Sequence, residues 1–122
     1  MRSRNMLEAF RFALAGLWYS LCTQRNMRIH LAIAVAVAAL GLWLKLPAQD
    51  WASLVLTSAM VLISEMTNTV IENLVDLVCP DYDPLAKIAK DVMAGAVVLA
   101  AITAVVIGLL ILGPPLWARL VG

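Results

Sequence analysis

The sequence predicts an all-α integral membrane protein: an N-terminal interfacial amphipathic helix followed by three transmembrane helices. Three observations carry that reading. The 122 residues are 63% apolar and only 14% charged, where a water-soluble domain carries roughly 45–50% apolar and about 25% charged residues. Residues 92–112 form a run of 21 without a charge, and about 20 suffice to span a bilayer. Ahead of the first apolar stretch, Met6, Leu7, Phe10, Ala13, Leu14, Leu17, Trp18 and Leu21 repeat at the spacing of one helical stripe. So little charge cannot cover a sphere of this size, which excludes a soluble globular enzyme and a disordered tail. Nine Lys/Arg against eight Asp/Glu leave a net charge of +1, so no bulk field draws polyanions and no nucleic-acid partner is expected. The length has room for one domain, spanning 1–122.

The N-terminal stripe belongs to an interfacial helix over residues 1–25. Glu8 and Arg11 lie off the stripe, Arg2 and Arg4 lead into it, and Trp18 and Tyr19 are placed at headgroup depth. The first span is expected over 29–46. Its 14 uninterrupted apolar residues between His30 and Lys45 are short for a bilayer, so those flanks must snorkel. The second span is expected over 51–76 and the third over 84–112. Between them Cys79-Pro80-Asp81-Tyr82-Asp83-Pro84 breaks one helix and starts the next, with Asp83 as N-cap and Pro84 at the first helical position. Seven of the Lys and Arg (Arg2, Arg4, Arg11, Arg25, Arg28, Lys87 and Lys90) flank one side, and two (Lys45 and Arg119) the other. The N-terminus and the second connection are therefore expected in the cytosol, and the C-terminus outside. Cys22 and Cys79 fall near the cytosolic side, where a disulfide is not expected.

The inner end of the second span is anomalous. Counting ~1.5 Å per residue from Trp51, Glu65 lies about 21 Å down and Glu72 about 31 Å, in a hydrocarbon layer ~30 Å thick. Glu65, Asn68, Thr69, Glu72 and Asp76 share one face of the helix. A carboxyl group at the depth of Glu65 costs a few kcal/mol on insertion scales and usually marks a functional path; the plainer reading is a helix-packing carboxyl. Across the connection stand Lys87 and Lys90, early in a helix whose N-terminal dipole is positive and suited to phosphate. Asp91 would hold a divalent cation or orient Lys90, and anchoring of the third span is the plainer reading of the lysines. No glycine-rich phosphate loop is present. A surface carboxylate, a deeper carboxylate and a basic loop suit phosphoryl transfer to an interfacial alcohol: Glu72 with a metal and nucleotide phosphates, Glu65 as base toward a lipid hydroxyl.

These residues resemble a known family. Arg25-Asn26-Met27-Arg28-Ile29-His30, the stretch Glu65-Met66-Thr67-Asn68-Thr69-Val70-Ile71-Glu72-Asn73-Leu74-Val75-Asp76, and Ala89-Lys90-Asp91-Val92-Met93-Ala94-Gly95-Ala96-Val97 are similar to the small prokaryotic membrane lipid kinases. That is the diacylglycerol kinase family, which includes undecaprenol kinases. The resemblance implies an ATP- and Mg2+-dependent kinase of the bacterial cell membrane, acting on diacylglycerol or alternatively undecaprenol. It also implies a homotrimer whose active sites are shared between neighbours. Position by position, Glu65 matches the catalytic carboxylate and general base of the family, and Glu72 the carboxylate that binds metal–ATP. Asn68, Asp76, Lys90 and Asp91 match further polar positions, the last two at the nucleotide, and Asp81, Tyr82 and Asp83 fall in the connection that contacts nucleotide. Gln24 stands where the family commonly has a second metal-binding glutamate; an amide oxygen can ligate the cation but brings no charge. His30 reads as an interfacial hydrogen-bonder.

Two other readings stay open on the residues alone. A proton-coupled transporter subunit would use Glu65 as a carrier, but gives no role to Lys90 and Asp91. A degenerate homologue would have lost activity at Gln24. Enclosure of Glu65, Asn68 and Glu72 from lipid is expected to need a wall from a neighbouring subunit, and Ala94, Gly95, Ala101, Ala104 and Gly108 on the third helix permit close approach.

Overall fold

A computed structural model describes residues 5–122, and all of its regular structure is helical: α1 (Met6–Thr23), α2 (Arg25–Leu44), α3 (Ala48–Val78) and α4 (Pro84–Val121). Arg2 and Arg4, expected to lead into the interfacial helix, lie outside the described residues. Helices α2, α3 and α4 are each long and apolar enough to cross a membrane, so the chain is an all-α membrane protein.

Asn5 caps α1, its Oδ1 accepting from the Glu8 backbone N–H at 2.9 Å. The apolar stripe of α1 is left uncovered, with Phe10, Leu14, Leu17 and Trp18 all exposed, as an interfacial helix requires. Gln24 alone separates α1 from α2. The elbow is fastened by Arg28, whose Nη1 donates to the carbonyl oxygens of Leu21 at 2.9 Å and Cys22 at 3.1 Å. A cation thus satisfies the orphan carbonyls and negative dipole end of α1. Met27, buried beside it at the start of α2, fixes how that helix enters the bundle.

Helix α2 ends at Lys45, which adopts the left-handed conformation with φ 55°. Its N–H and that of Leu46 turn back to Leu42 and Gly41, both at 3.3 Å, the pattern of a Schellman end. Gly41 is buried there: a Cβ would stand 2.9 Å from Trp51 Cη2, 3.0 Å from Cζ2 and 3.2 Å from Leu46 Cδ1. Gly41→Val should therefore cost about 1–3 kcal/mol by overpacking, read as a lowered thermal midpoint in detergent. An unchanged midpoint would show that Trp51 moves aside freely.

Helix α3 is the inner element. Its buried residues Leu54, Thr57, Val61, Glu65 and Thr69 recur at three- and four-residue spacing, and this seam packs chiefly against α4 and more lightly against α2. The buried hydroxyls bond within the helix, Thr57 to the Ser53 carbonyl at 2.7 Å and Thr69 to the Glu65 carbonyl at 3.1 Å, so only the carboxyl needs a partner from outside. Helix α4 opens on the expected cap, Asp83 Oδ1 accepting from Leu85 N at 2.8 Å and Ala86 N at 3.2 Å. It continues through Pro114 and Pro115 to Val121, past the apolar run that ends at Leu112. Arg119 lies over the Trp43 ring, 4.6 Å from its centroid, and so ties this last stretch to α2.

Candidate active site

The elbow between α1 and α2 and the connection between α3 and α4 frame the polar end of the molecule. From there a polar series leads into the apolar interior along one face of α3: Asp76 exposed, Glu72 and Asn68 half-buried, Glu65 only 4% exposed. A single chain therefore already encloses Glu65, contrary to the expectation that a neighbour is needed to do so. Only the outer members of the series, Glu72 and Asp76, stay open.

Glu65 meets one partner that sequence spacing does not reveal. His30 Nε2 lies 3.1 Å from Glu65 Oε1, joining α2 to α3 across 35 positions of sequence. A histidine N–H facing a buried carboxylate is a charge-assisted hydrogen bond. The sequence signal was present in the Arg-Asn-x-Arg-Ile-His run, but its partner depends on how α2 and α3 align. His30 also closes one end of an apolar groove of about 440 Å³ between α2, α3 and α4, lined by Ile33, Val37, Thr57, Val61, Ala104 and Gly108 among others. A hydrocarbon chain lying in that groove would bring its polar end to His30 and Glu65.

One turn further along α3, Asn68 Nδ2 donates to Glu72 Oε1 at 3.3 Å. Asn68 Oδ1 is buried without a hydrogen-bond partner. An orphaned amide oxygen beside a carboxylate is an acceptor awaiting a donor or cation. At the end of the series Lys90 Nζ donates to Asp76 Oδ1 at 2.6 Å, and Lys87 Nζ to Asp91 Oδ2, also at 2.6 Å. Asp91 thus orients Lys87; the residue that orients Lys90 is Asp76, fourteen positions back on α3. Asp76, Asp81, Tyr82, Asp83, Lys87 and Lys90 line a cavity of about 350 Å³ between the ends of α3 and α4. The Asp83 carboxylate is engaged there as the α4 cap, while Tyr82 is exposed.

Gln24 is half-buried at the elbow, where its Nε2 donates to Thr23 Oγ1 at 3.4 Å. Among the described residues no group of three or more His, Cys, Asp or Glu side chains is arranged to hold a metal. The donors present, one carboxylate and one orphaned amide oxygen, suit magnesium bound mainly through phosphate oxygens, because that ion keeps much of its shell and takes only one or two protein carboxylates.

Comparison with known proteins places these features. The description of the prokaryotic diacylglycerol kinase family matches residues 11–112. A diacylglycerol kinase of Synechocystis is 51% identical over 118 residues, covering 96% of this chain and 67% of the relative. An undecaprenol kinase of Bacillus subtilis is 39% identical over 112 residues, covering 92% and 91%. A diacylglycerol kinase of Escherichia coli is 30% identical over 105 residues, covering 84% of each.

Proposed function

The chain belongs to the prokaryotic diacylglycerol kinase family and is a membrane lipid kinase with ATP as its phosphate donor; from that premise we propose that it phosphorylates diacylglycerol at the cytosolic face of a bacterial membrane. The observation that carries this reading is the polar series itself: a buried carboxylate bonded to His30 at the edge of an apolar groove, two turns from a half-buried carboxylate that leads to a polar cavity holding Lys87 and Lys90. The acceptor's hydrocarbon lies along the groove and presents its hydroxyl to Glu65. Glu65 takes the hydroxyl proton as that oxygen bonds to the γ-phosphorus and the bond to the β–γ bridging oxygen breaks, ADP leaving with the electron pair. Positioning and charge neutralisation dominate such a transfer. Lys90, held by Asp76, and the Lys87–Asp91 pair face the nucleotide phosphates, and Asp81, Tyr82 and Asp83 border the nucleotide.

Glu72 would hold the magnesium ion of the nucleotide, with the orphaned Asn68 oxygen and the Gln24 amide oxygen as neutral auxiliaries. Bound there, magnesium neutralises phosphate charge. Gln24→Glu should lower the magnesium concentration for half-maximal rate by several-fold, since a charged oxygen replaces a neutral one. A superimposable magnesium titration would remove position 24 from the metal site.

The positive-inside count supports a cytosolic N-terminus and an external C-terminus. A homotrimer with shared sites is supported by the open side of Glu72 and Asp76, and by the open space where a Cβ would stand at Gly95 of α4, which admits a close neighbour. Undecaprenol is the second reading for the acceptor, favoured by the similarity to the undecaprenol kinase of Bacillus subtilis. Transfer of labelled γ-phosphate from ATP in mixed micelles, with diacylglycerol and undecaprenol in parallel, separates the two. Faster labelling of diacylglycerol is expected; faster labelling of undecaprenol would establish the second reading, and labelling of neither would contradict both.

A further inference from the structure

We infer that His30 is the positioning residue of the base: through its Nε2–H it fixes the Glu65 carboxylate so that Oε1 is occupied and Oε2 is left for the acceptor hydroxyl. This inference rests on the assignment of Glu65 as base. Three observations support it. The His30–Glu65 contact of 3.1 Å is the only hydrogen bond to the Glu65 side chain among the described residues. Oε2 makes no hydrogen bond among the described residues, while Oε1 is held by His30. His30 also borders the apolar groove, so a hydroxyl arriving by that route meets the pair together.

The placement of His30 is itself secured from below. Arg28, bonded to the last carbonyls of α1, and buried Met27 fix the first turn of α2, and His30 follows within one turn. A glutamate has several rotatable bonds, and a carboxylate free to swing in a low-polarity interior seldom stands in attack geometry. One charge-assisted bond to a ring held by its own backbone removes much of that freedom. His30 touches no reacting atom in this scheme; it acts through Glu65.

His30→Leu removes the donor, whereas His30→Gln keeps an amide N–H at a similar reach. Steady-state kinetics on the full chain in mixed micelles, with ATP and the better of the two acceptor lipids, should show kcat of His30→Leu lowered about 10- to 100-fold, the worth of one hydrogen bond to a charged group. KM for ATP should stay within about threefold, because the nucleotide end of the site is two turns away. His30→Gln should recover most of kcat, a rescue that mere packing would not give. Undiminished kcat in His30→Leu would overturn the inference. So would equal loss in both variants, or a loss of ATP binding in step with kcat. Absence of lipid phosphorylation by the unsubstituted chain is a different outcome, and it would overturn the kinase assignment of Glu65 itself.

Discussion

Glu65→Gln is expected to lower kcat for lipid phosphorylation by about 10³-fold, within the span attributed to general-base catalysis, while ATP affinity stays close to that of the unsubstituted chain. The substitution is nearly isosteric, so the packing of the buried α3 seam with Leu54, Val61 and Thr69 is retained. The amide can still accept from His30 Nε2, which keeps the 3.1 Å contact between α2 and α3. What is lost is the ability to take a proton. Glu65 is separated from Glu72 by two helical turns, roughly 10 Å along the axis, and the cavity lined by Lys87 and Lys90 lies beyond that, so nucleotide contacts are untouched. Rate and nucleotide binding measured on the same preparation check this. If affinity for ATP fell together with the rate, Glu65 would belong to the nucleotide site and the deep base would have to be sought elsewhere.

Glu72→Gln should have the complementary signature. Asn68 Nδ2 can donate to the new amide oxygen as it does to Oε1 at 3.3 Å, so the local helix geometry survives and the change is one of charge. An interaction with a charged group is worth roughly 1.5–3 kcal/mol, and 1.4 kcal/mol is about a tenfold change in affinity. KM for magnesium–ATP should accordingly rise about 10- to 100-fold, with a higher magnesium requirement and a smaller effect on kcat at saturation. A KM within twofold of the unsubstituted chain would show that the carboxylate is a solvated helix-end charge and that the phosphates are held by Lys87 and Lys90 alone.

The spans were legible in the sequence because lipid exposure acts on each residue separately. A charge-free run such as 92–112 needs no partner to declare itself, and Asp83-Pro84 marks the start of α4 through purely local bonding. The polar face of α3 was legible for the same reason, since Glu65, Asn68, Glu72 and Asp76 share it by helical periodicity. What stayed hidden depends on how separate helices align. The His30–Glu65 contact joins residues 35 apart, and the choice of Asp76 over Asp91 as partner of Lys90 follows from the packing of α3 on α4. The enclosure of Glu65 by one chain arises from the same packing. The continuation of α4 beyond Leu112 crosses two prolines that locally argue for a stop, and its contact between Arg119 and Trp43 is again between helices.

The division of labour between the two carboxylates is the centre of this account, and equilibrium binding of magnesium–ATP to Glu65→Gln and Glu72→Gln, in lipid-free micelles beside the unsubstituted chain, tests it most directly. The account predicts that Glu65→Gln binds like the unsubstituted chain and that Glu72→Gln binds at least tenfold more weakly. Equal affinities for all three, or weakening in Glu65→Gln alone, would contradict it.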